Sequence, residues 1–345
     1  MARTRELDSP DNDIPSILAR SFQSARVNFL IGSGASCPAI PIVGNLEQQI
    51  AELFEAGEED EARSKMYDFL ASIQEPTNKL IENVDDASNN STLEYYRNCL
   101  GVIEIMLRER RTDLLPKQAT IFTTNYDLFV EQASSSFATL NLNDGFIRVP
   151  RLDSRVEYSS RMFFTQTYNT GNVYDYKVEI PGINFVKLHG SVSWTKEGDG
   201  ILSRIRTRDL LPAGSSPADI KDFVENYAVV LPETTKFRTT LMERTYYELL
   251  RIYANELDKA NTLLLTFGFS FGDSHILDIT KKALKNPTLK LVAFAFTDDD
   301  RAAFADKFAS HNNVDIVAPP AGEEIDFQRF NGVLRDALPK MEQYR

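Results

Sequence analysis

Short apolar runs punctuate this chain, and several of them stop abruptly at glycine or polar residues. VNFLI at 27–31 runs into GSGAS, ATIFTT at 119–124 into NYD, and GINFVKL at 182–188 into HGS. NTLLLTF at 261–267 opens into GFSFGD, and LKLVAFAF and VDIVA follow at 289–296 and 314–318. Runs this short, rich in branched and aromatic residues and lacking alternation, predict strands buried on both faces. Between them the apolar spacing shifts to three and four residues. That spacing predicts helices over 14–24, in EQQIAELF and SKMYDFLASI within 43–75, and through TTLMERTYYELLRIYANELDKA, SHILDITKKALKN, about 299–310, and FQRFNGVLRDAL. STLEYYRNCLGVIEIMLRER reads as a long helix starting from a Ser91 cap, with Glu94 three residues on. QEPTNKLIENVDDASNN before it reads as a break made of turn formers, and the first residues as a polar leader. Residues 139–182 suit either short strands or an insertion, and the charged stretch 196–225 suits an excursion above the sheet. YAVVLP reads as a further short strand.

Strand, loop and helix thus alternate along the chain. The order predicts an α/β architecture: a Rossmann-like, mostly parallel sheet flanked by helices, with a smaller helical subdomain at 43–112 and an insertion at 196–225. The main domain is expected to span 26–310, with 311–345 as a strand and helix extension.

Composition narrows the function classes. The 345 residues are 42% hydrophobic and 26% charged, as in an ordinary globular protein. A formal charge of -12 argues against unaided binding to nucleic acid or to an anionic membrane. No run approaches the length of a membrane-spanning helix and the amino terminus lacks an apolar leader segment, so a cytoplasmic protein is expected. Two cysteines, Cys37 and Cys99, leave a disulfide open and cannot supply a zinc module of four cysteine ligands. Three dispersed histidines and the absence of HExxH point to no metal site.

The polar strand ends carry the candidate chemistry. GSGAS is neither GxGxxG nor GxxxxGK[ST]; it suits a tight turn or a main chain approaching a phosphate. In TTNYD, Asn125 can donate and accept through one amide while Asp127 supplies charge; Thr124 and Asp127 would equally serve the start of a helix. Tyr126, Phe129 and Trp194 fit core packing. His189, with Gly190 beside it, suits either proton exchange or a structural role, and Lys187 reads as an exposed charge. In FGFSFGD, Gly268 and Ser270 are placed to meet phosphate or adenosine, and Asp273 to meet a ribose or to cap the next helix. His275 reads as a surface residue.

Taken in order, IGSGAS, TTNYD, KLHG and FGFSFGD resemble the sirtuin-like family over roughly residues 26–300. The resemblance implies an NAD-binding domain in which Gly32, Ser33, Gly34, Ala35 and Ser36 cradle the dinucleotide. It implies Thr124, Asn125 and Asp127 around the nicotinamide ribose, with Gly190 close by, and Gly268, Ser270 and Asp273 near phosphate or adenosine. Asn125 and His189 would be the catalytic pair. The chain departs from protein-deacylating sirtuins in lacking the four zinc cysteines, in reading SCPAIPIVGN where they carry a Phe–Arg pair, and in having TTN for TQN. It looks more like bacterial sirtuin-like NAD hydrolases, many of them anti-phage effectors. By that likeness NAD is consumed as a substrate without a metal, the chain forms a homo-oligomer, and a HerA-type ATPase is a possible partner.

Overall fold

The computed structural model describes the 345-residue chain except for residues 11, 43–45, 112–113, 172–176, 198–199, 204–208, 230–239 and 345. Its centre is an eight-stranded sheet. From one edge to the other the strands are Arg3–Glu6, Val314–Ala318, Leu289–Phe294, Thr262–Phe267, Arg26–Ile31, Gln118–Thr123, Gly182–Lys187 and Asn141–Asn143. Every pairing in it is parallel. After Arg26–Ile31 the chain builds one half of the sheet, then returns to place Thr262–Phe267 on the other side of that same strand. The strand order reverses at these two strands, and open α/β sheets take their ligands at the carboxyl ends flanking such a reversal.

Both faces are covered, which explains the unbroken apolar runs. Phe29, Ile31, Ile121, Phe185 and Leu265 enter one core with helices Ile14–Ser24, Ala87–Glu109 and Phe327–Ala337. Their sequence neighbours Leu30, Phe122, Val186 and Leu264 enter the opposite core with helices Thr240–Asp258, Ser274–Ala283 and Asp298–Lys307. Alternation of side chains along each strand sends consecutive residues to opposite cores.

The helical stretch departs from its sequence pattern. Helix Glu59–Ile81 runs through Pro76, so the expected break at 74–90 contracts to a few residues. Proline removes one backbone donor, but buried Ile73, Thr77 and Leu80 hold the helix in place, and Asn89 Nδ2 donates to the Pro76 carbonyl at 2.8 Å. The next helix starts at Ala87, because Asp86 accepts from the Ser88 and Asn89 N–H groups at 3.1 Å each. Ser91 is inside that helix, bonded back to the Ala87 carbonyl at 2.9 Å. Helix Pro217–Glu225, within the charged excursion, starts from a Ser216–Asp219 capping box and sets Phe223 edge-on to Tyr67 at 5.1 Å between ring centroids. Strands Tyr227–Val229, Gly190–Glu197, Gly200–Ser203 and Val156–Glu157 make a separate antiparallel sheet. Strands Tyr168–Thr170 and Lys177–Glu179 pair with each other. Both cysteines are free. Among the described residues no helix is long and apolar enough to cross a membrane.

The polar leader contributes an edge strand that no apolar pattern announces. Arg3–Glu6 pairs in register with Asp315–Ala318. Asp315 has a fully buried side chain and meets Arg5 Nε at 3.3 Å and Lys290 Nζ at 2.5 Å. A buried carboxylate is stable only while its cations stay. Both cations are part-exposed, so replacing the anion is expected to cost less than in a fully buried pair. Asp315→Ala should lower unfolding free energy by about 2–3 kcal/mol in a denaturant titration, and a loss within experimental error would contradict this role.

Candidate active site

Four strands end in one row. Phe267 is in register with Ile31, Ile31 with Thr123, and Thr123 with Lys187. The loops beginning at Gly32, Thr124, Leu188 and Gly268 therefore lie side by side along the carboxyl edge.

Two of these loops touch main chain to main chain. Gly32 N donates to the Phe267 carbonyl and Gly34 N to the Gly268 carbonyl, each at 3.0 Å, while Ala35 N donates to the Gly32 carbonyl at 3.1 Å. A Cβ on Gly32 would stand 2.4 Å from the Gly268 oxygen, and one on Gly268 would stand 2.6 Å from Ala35 N. Gly268 also holds φ at +63°, a conformation that L side chains rarely adopt. The glycines expected to let a ligand approach thus first let the two loops approach each other. Ser33 and Ser270 are exposed beside this contact, and Ala35 is buried.

Behind the contact lies a buried polar cluster. Asn125 Nδ2 donates to the Gly32 carbonyl at 3.0 Å and to Ser36 Oγ at 2.9 Å, with Tyr96 Oη at 3.4 Å. A carbonyl only accepts, so the amide nitrogen faces Gly32 and the amide oxygen faces away. That oxygen, Asn125 Oδ1, is buried and has no partner among the described residues. Ser36 Oγ donates to Asp127 Oδ2 at 2.6 Å, and Asp127 Oδ1 accepts from Phe129 N at 3.1 Å. Asp127 therefore serves both the cluster and the start of helix Phe129–Ser134; Thr124 does not cap that helix, which has Leu128 at its N-cap. Burial, reinforced by the charge of Asp127, pushes the Tyr96 phenol well above its ordinary value and keeps it neutral.

His189 is held from the other loop. Its Nε2 stands 3.1 Å from Asp273 Oδ2, and Asp273 Oδ1 caps helix Ser274–Ala283 by accepting from Ile276 N at 3.0 Å. The carboxylate fixes the proton on Nε2 and leaves Nδ1 as the acceptor in the neutral ring. Gly190, at φ +85°, then turns the chain into the antiparallel strand. Burial raises the Asp273 carboxyl, but the His189 hydrogen bond and charge, with the Ile276 and His275 N–H groups, outweigh it and hold the carboxyl below its ordinary value.

Asn125 and His189 each lie two residues beyond the register pair Thr123 and Lys187. The Tyr126 ring sits 6.3 Å from the His189 ring, centroid to centroid. Lys187, expected as an exposed charge, is buried: its ammonium meets the Tyr126 and Asp127 carbonyls, Ser191 Oγ at 3.0 Å and Glu131 Oε1 at 2.9 Å. A lysine in an apolar strand looks solvent-facing until the following loop folds its carbonyls over it. Tyr96 and Glu131 also escaped the sequence reading, because both occupy positions that fit helical packing. Trp194, Tyr126 and Phe129 pack in the core, and His275 is exposed. Among the described residues no group of three or more His, Cys, Asp or Glu side chains is placed to hold a metal ion.

With this geometry established, residues 119–317 match the family model of the SIR2-like domain. The chain belongs to the SIR2-like domain family. The matched segment contains Asn125, Asp127, His189, Gly268 and Asp273; GSGAS and Tyr96 lie before it in sequence and join it in space. Similar solved structures include the crystal structure of a Sir2 homolog–NAD complex, 9% identical, with 99% of this chain and 97% of that chain covered at a TM-score of 0.47. No curated protein matches.

Two tests address this SIR2-like site. Gly268→Ala should lower stability by at least about 2 kcal/mol, since it adds strain at a positive φ and a clash with Ala35; an unchanged thermal midpoint would contradict the loop contact. Asp273 is depressed in the folded protein, so its stabilisation is complete above the ordinary carboxylate value of about 3.9 and is lost as pH falls through the lower folded value. Asp273→Asn should remove that acid-side dependence from a pH series of unfolding midpoints, and an identical series would show that the pair is not formed.

Proposed function

We propose that this SIR2-like protein is an NAD glycohydrolase: it cleaves the N-glycosidic bond between nicotinamide and ribose and releases nicotinamide and ADP-ribose. The single observation that carries the reading is the fixed amide of Asn125, whose carbonyl is buried at the carboxyl edge without a partner among the described residues. Leaving such an acceptor unpaired costs about 1–3 kcal/mol, and a ribose hydroxyl or a water held against it would remove that cost.

In this reading NAD is the substrate, and the chain supplies position and proton transfer. The carbon–nitrogen bond breaks with its electron pair passing to the nicotinamide ring nitrogen, which leaves neutral. Positive charge grows on the ribose, and water oxygen bonds to the same carbon. Asn125 Oδ1 holds the water or the ribose hydroxyl beside it. His189, oriented by Asp273, takes the proton at Nδ1, directly or through a ribose hydroxyl. The Asp127 carboxylate favours the developing cation. With the Gly32, Gly34 and Ala35 N–H groups already donating within the protein, phosphate contact falls to the exposed Ser33 and Ser270.

The two free cysteines support hydrolysis over peptide deacylation, since this chain cannot build a four-cysteine zinc module. The sequence resemblance extends the proposal to a homo-oligomeric, cytoplasmic, NAD-depleting effector in anti-phage defence, with a HerA-type ATPase as partner. Helix Pro217–Glu225 against Tyr67 ties the insertion to the helical layer, a route by which a partner would bias the site.

Nicotinamide release from NAD, followed by chromatography with and without the genomic-neighbour partner, tests the proposal. Asn125→Ala and His189→Ala should each lower the rate by at least about a hundredfold while remaining folded. Folded variants releasing nicotinamide at the wild-type rate would overturn the assigned roles.

A further inference from the structure

A row of polar side chains crosses the opposite, amino end of the same sheet. Asn28, Thr120 and Asn184 are register neighbours, Asn184 pairs onward with Asn143, and the first three are buried. They share a face with Leu30, Phe122 and Val186, beneath helix Thr240–Asp258. Parallel strands covered on both sides ordinarily carry aliphatic residues here, because a buried amide is costly unless bonded. Asn184 is bonded: its Oδ1 accepts from Phe164 N at 2.8 Å. Asn28 Nδ2 is buried with no partner among the described residues.

Asn28, Thr120 and Asn184 line a depression of about 250 Å³, together with Arg26, Phe164, Glu256 and Lys259. Arg26, half-buried, makes no side-chain hydrogen bond or ion pair among the described residues. Lys259 pairs with Glu256 and lies 4.8 Å over the Phe164 ring. Phe164 itself holds φ at +63°, a conformation that costs a bulky residue and that clusters at ligand clamps. Behind them the buried Arg110 donates to the carbonyls of Phe22, Ala25 and Pro116. Burial lowers its guanidinium to about 10, with Glu179 opposing and Arg26 reinforcing the shift.

We infer that this depression is a second ligand site, for a small phosphorylated sugar. Lys259 is already paired with Glu256 and Arg110 spends its N–H groups on carbonyls, so the uncommitted Arg26 guanidinium is the group that favours an oxyanion. Amides and a hydroxyl along the sheet suit sugar hydroxyls, and the unpaired Asn28 Nδ2 is a donor awaiting one. The depression has room for one sugar phosphate. The single aromatic ring is already covered by Lys259, which leaves no platform for a base. From Asn28 to Gly32 the strand advances roughly 13 Å, so the site is separate from the candidate active site.

Calorimetric titration of the full chain with ribose 5-phosphate tests this, with ribose and inorganic phosphate as further probes. The wild-type chain should bind ribose 5-phosphate saturably and bind the other two more weakly. Arg26→Gln should weaken binding about tenfold or more. Asn28→Val should weaken it while leaving the thermal midpoint unchanged or higher, because it removes an unsatisfied donor. Absence of saturable binding, wild-type affinity in both variants, or a lower midpoint for Asn28→Val would overturn the site. Inorganic phosphate bound as tightly as ribose 5-phosphate would overturn the sugar assignment.

Discussion

The contact of the Gly32–Ser36 turn with Gly268 fixes everything at the carboxyl edge. Two main chains meet where side chains would ordinarily separate them, and three backbone hydrogen bonds lock the turn. The locked turn aims the Gly32 carbonyl and Ser36 hydroxyl at Asn125, and these two groups decide which way its amide points. Ser36 passes the constraint on to Asp127. Asp273, five residues past Gly268 on the second loop, holds His189. One steric requirement, the absence of three Cβ atoms, therefore propagates to each group assigned to chemistry.

Buried polarity has different meanings at the two ends of the sheet. At the carboxyl edge most polar atoms find a protein partner; among the described residues Asn125 Oδ1, Glu131 Oε2 and Thr266 Oγ1 are buried without one, and the first lies where a substrate is proposed. Lys187 shows how completely partners are supplied: its ammonium is enclosed by two backbone carbonyls, a serine and Glu131. Burial raises the Glu131 carboxyl while the lysine charge opposes it. At the amino end, Asn28 Nδ2 and the Arg26 guanidinium have no partners among the described residues although polar side chains surround them, which argues for a ligand and against a structural network.

Much of the architecture was legible because two-sided burial writes itself into sequence. Phe29 and Leu30 face opposite cores, and so do Ile121 and Phe122, so the strands read as continuous apolar runs whose polar ends marked the site. Local signals failed where distant groups decided. Arg3–Glu6 became a strand through pairing with Val314–Ala318 and the charge of Asp315, neither visible in RTRE. Pro76 did not end its helix because packing outweighed one lost donor. Tyr96 and Lys187 were unreadable as site residues, since their partners lie on segments far away in sequence. For Asp273 the sequence left a ribose contact or a helix cap open; the structure shows the cap and adds the histidine, which only the folded arrangement of the two loops could reveal.

The most direct measurement is a crystal structure of the His189→Ala protein with NAD, the substitution serving to keep the substrate intact. The account predicts the nicotinamide ribose between Asn125 Oδ1 and position 189, with the phosphates over Ser33 and Ser270. Dinucleotide bound anywhere else, or a nicotinamide ribose out of reach of Asn125, would contradict it.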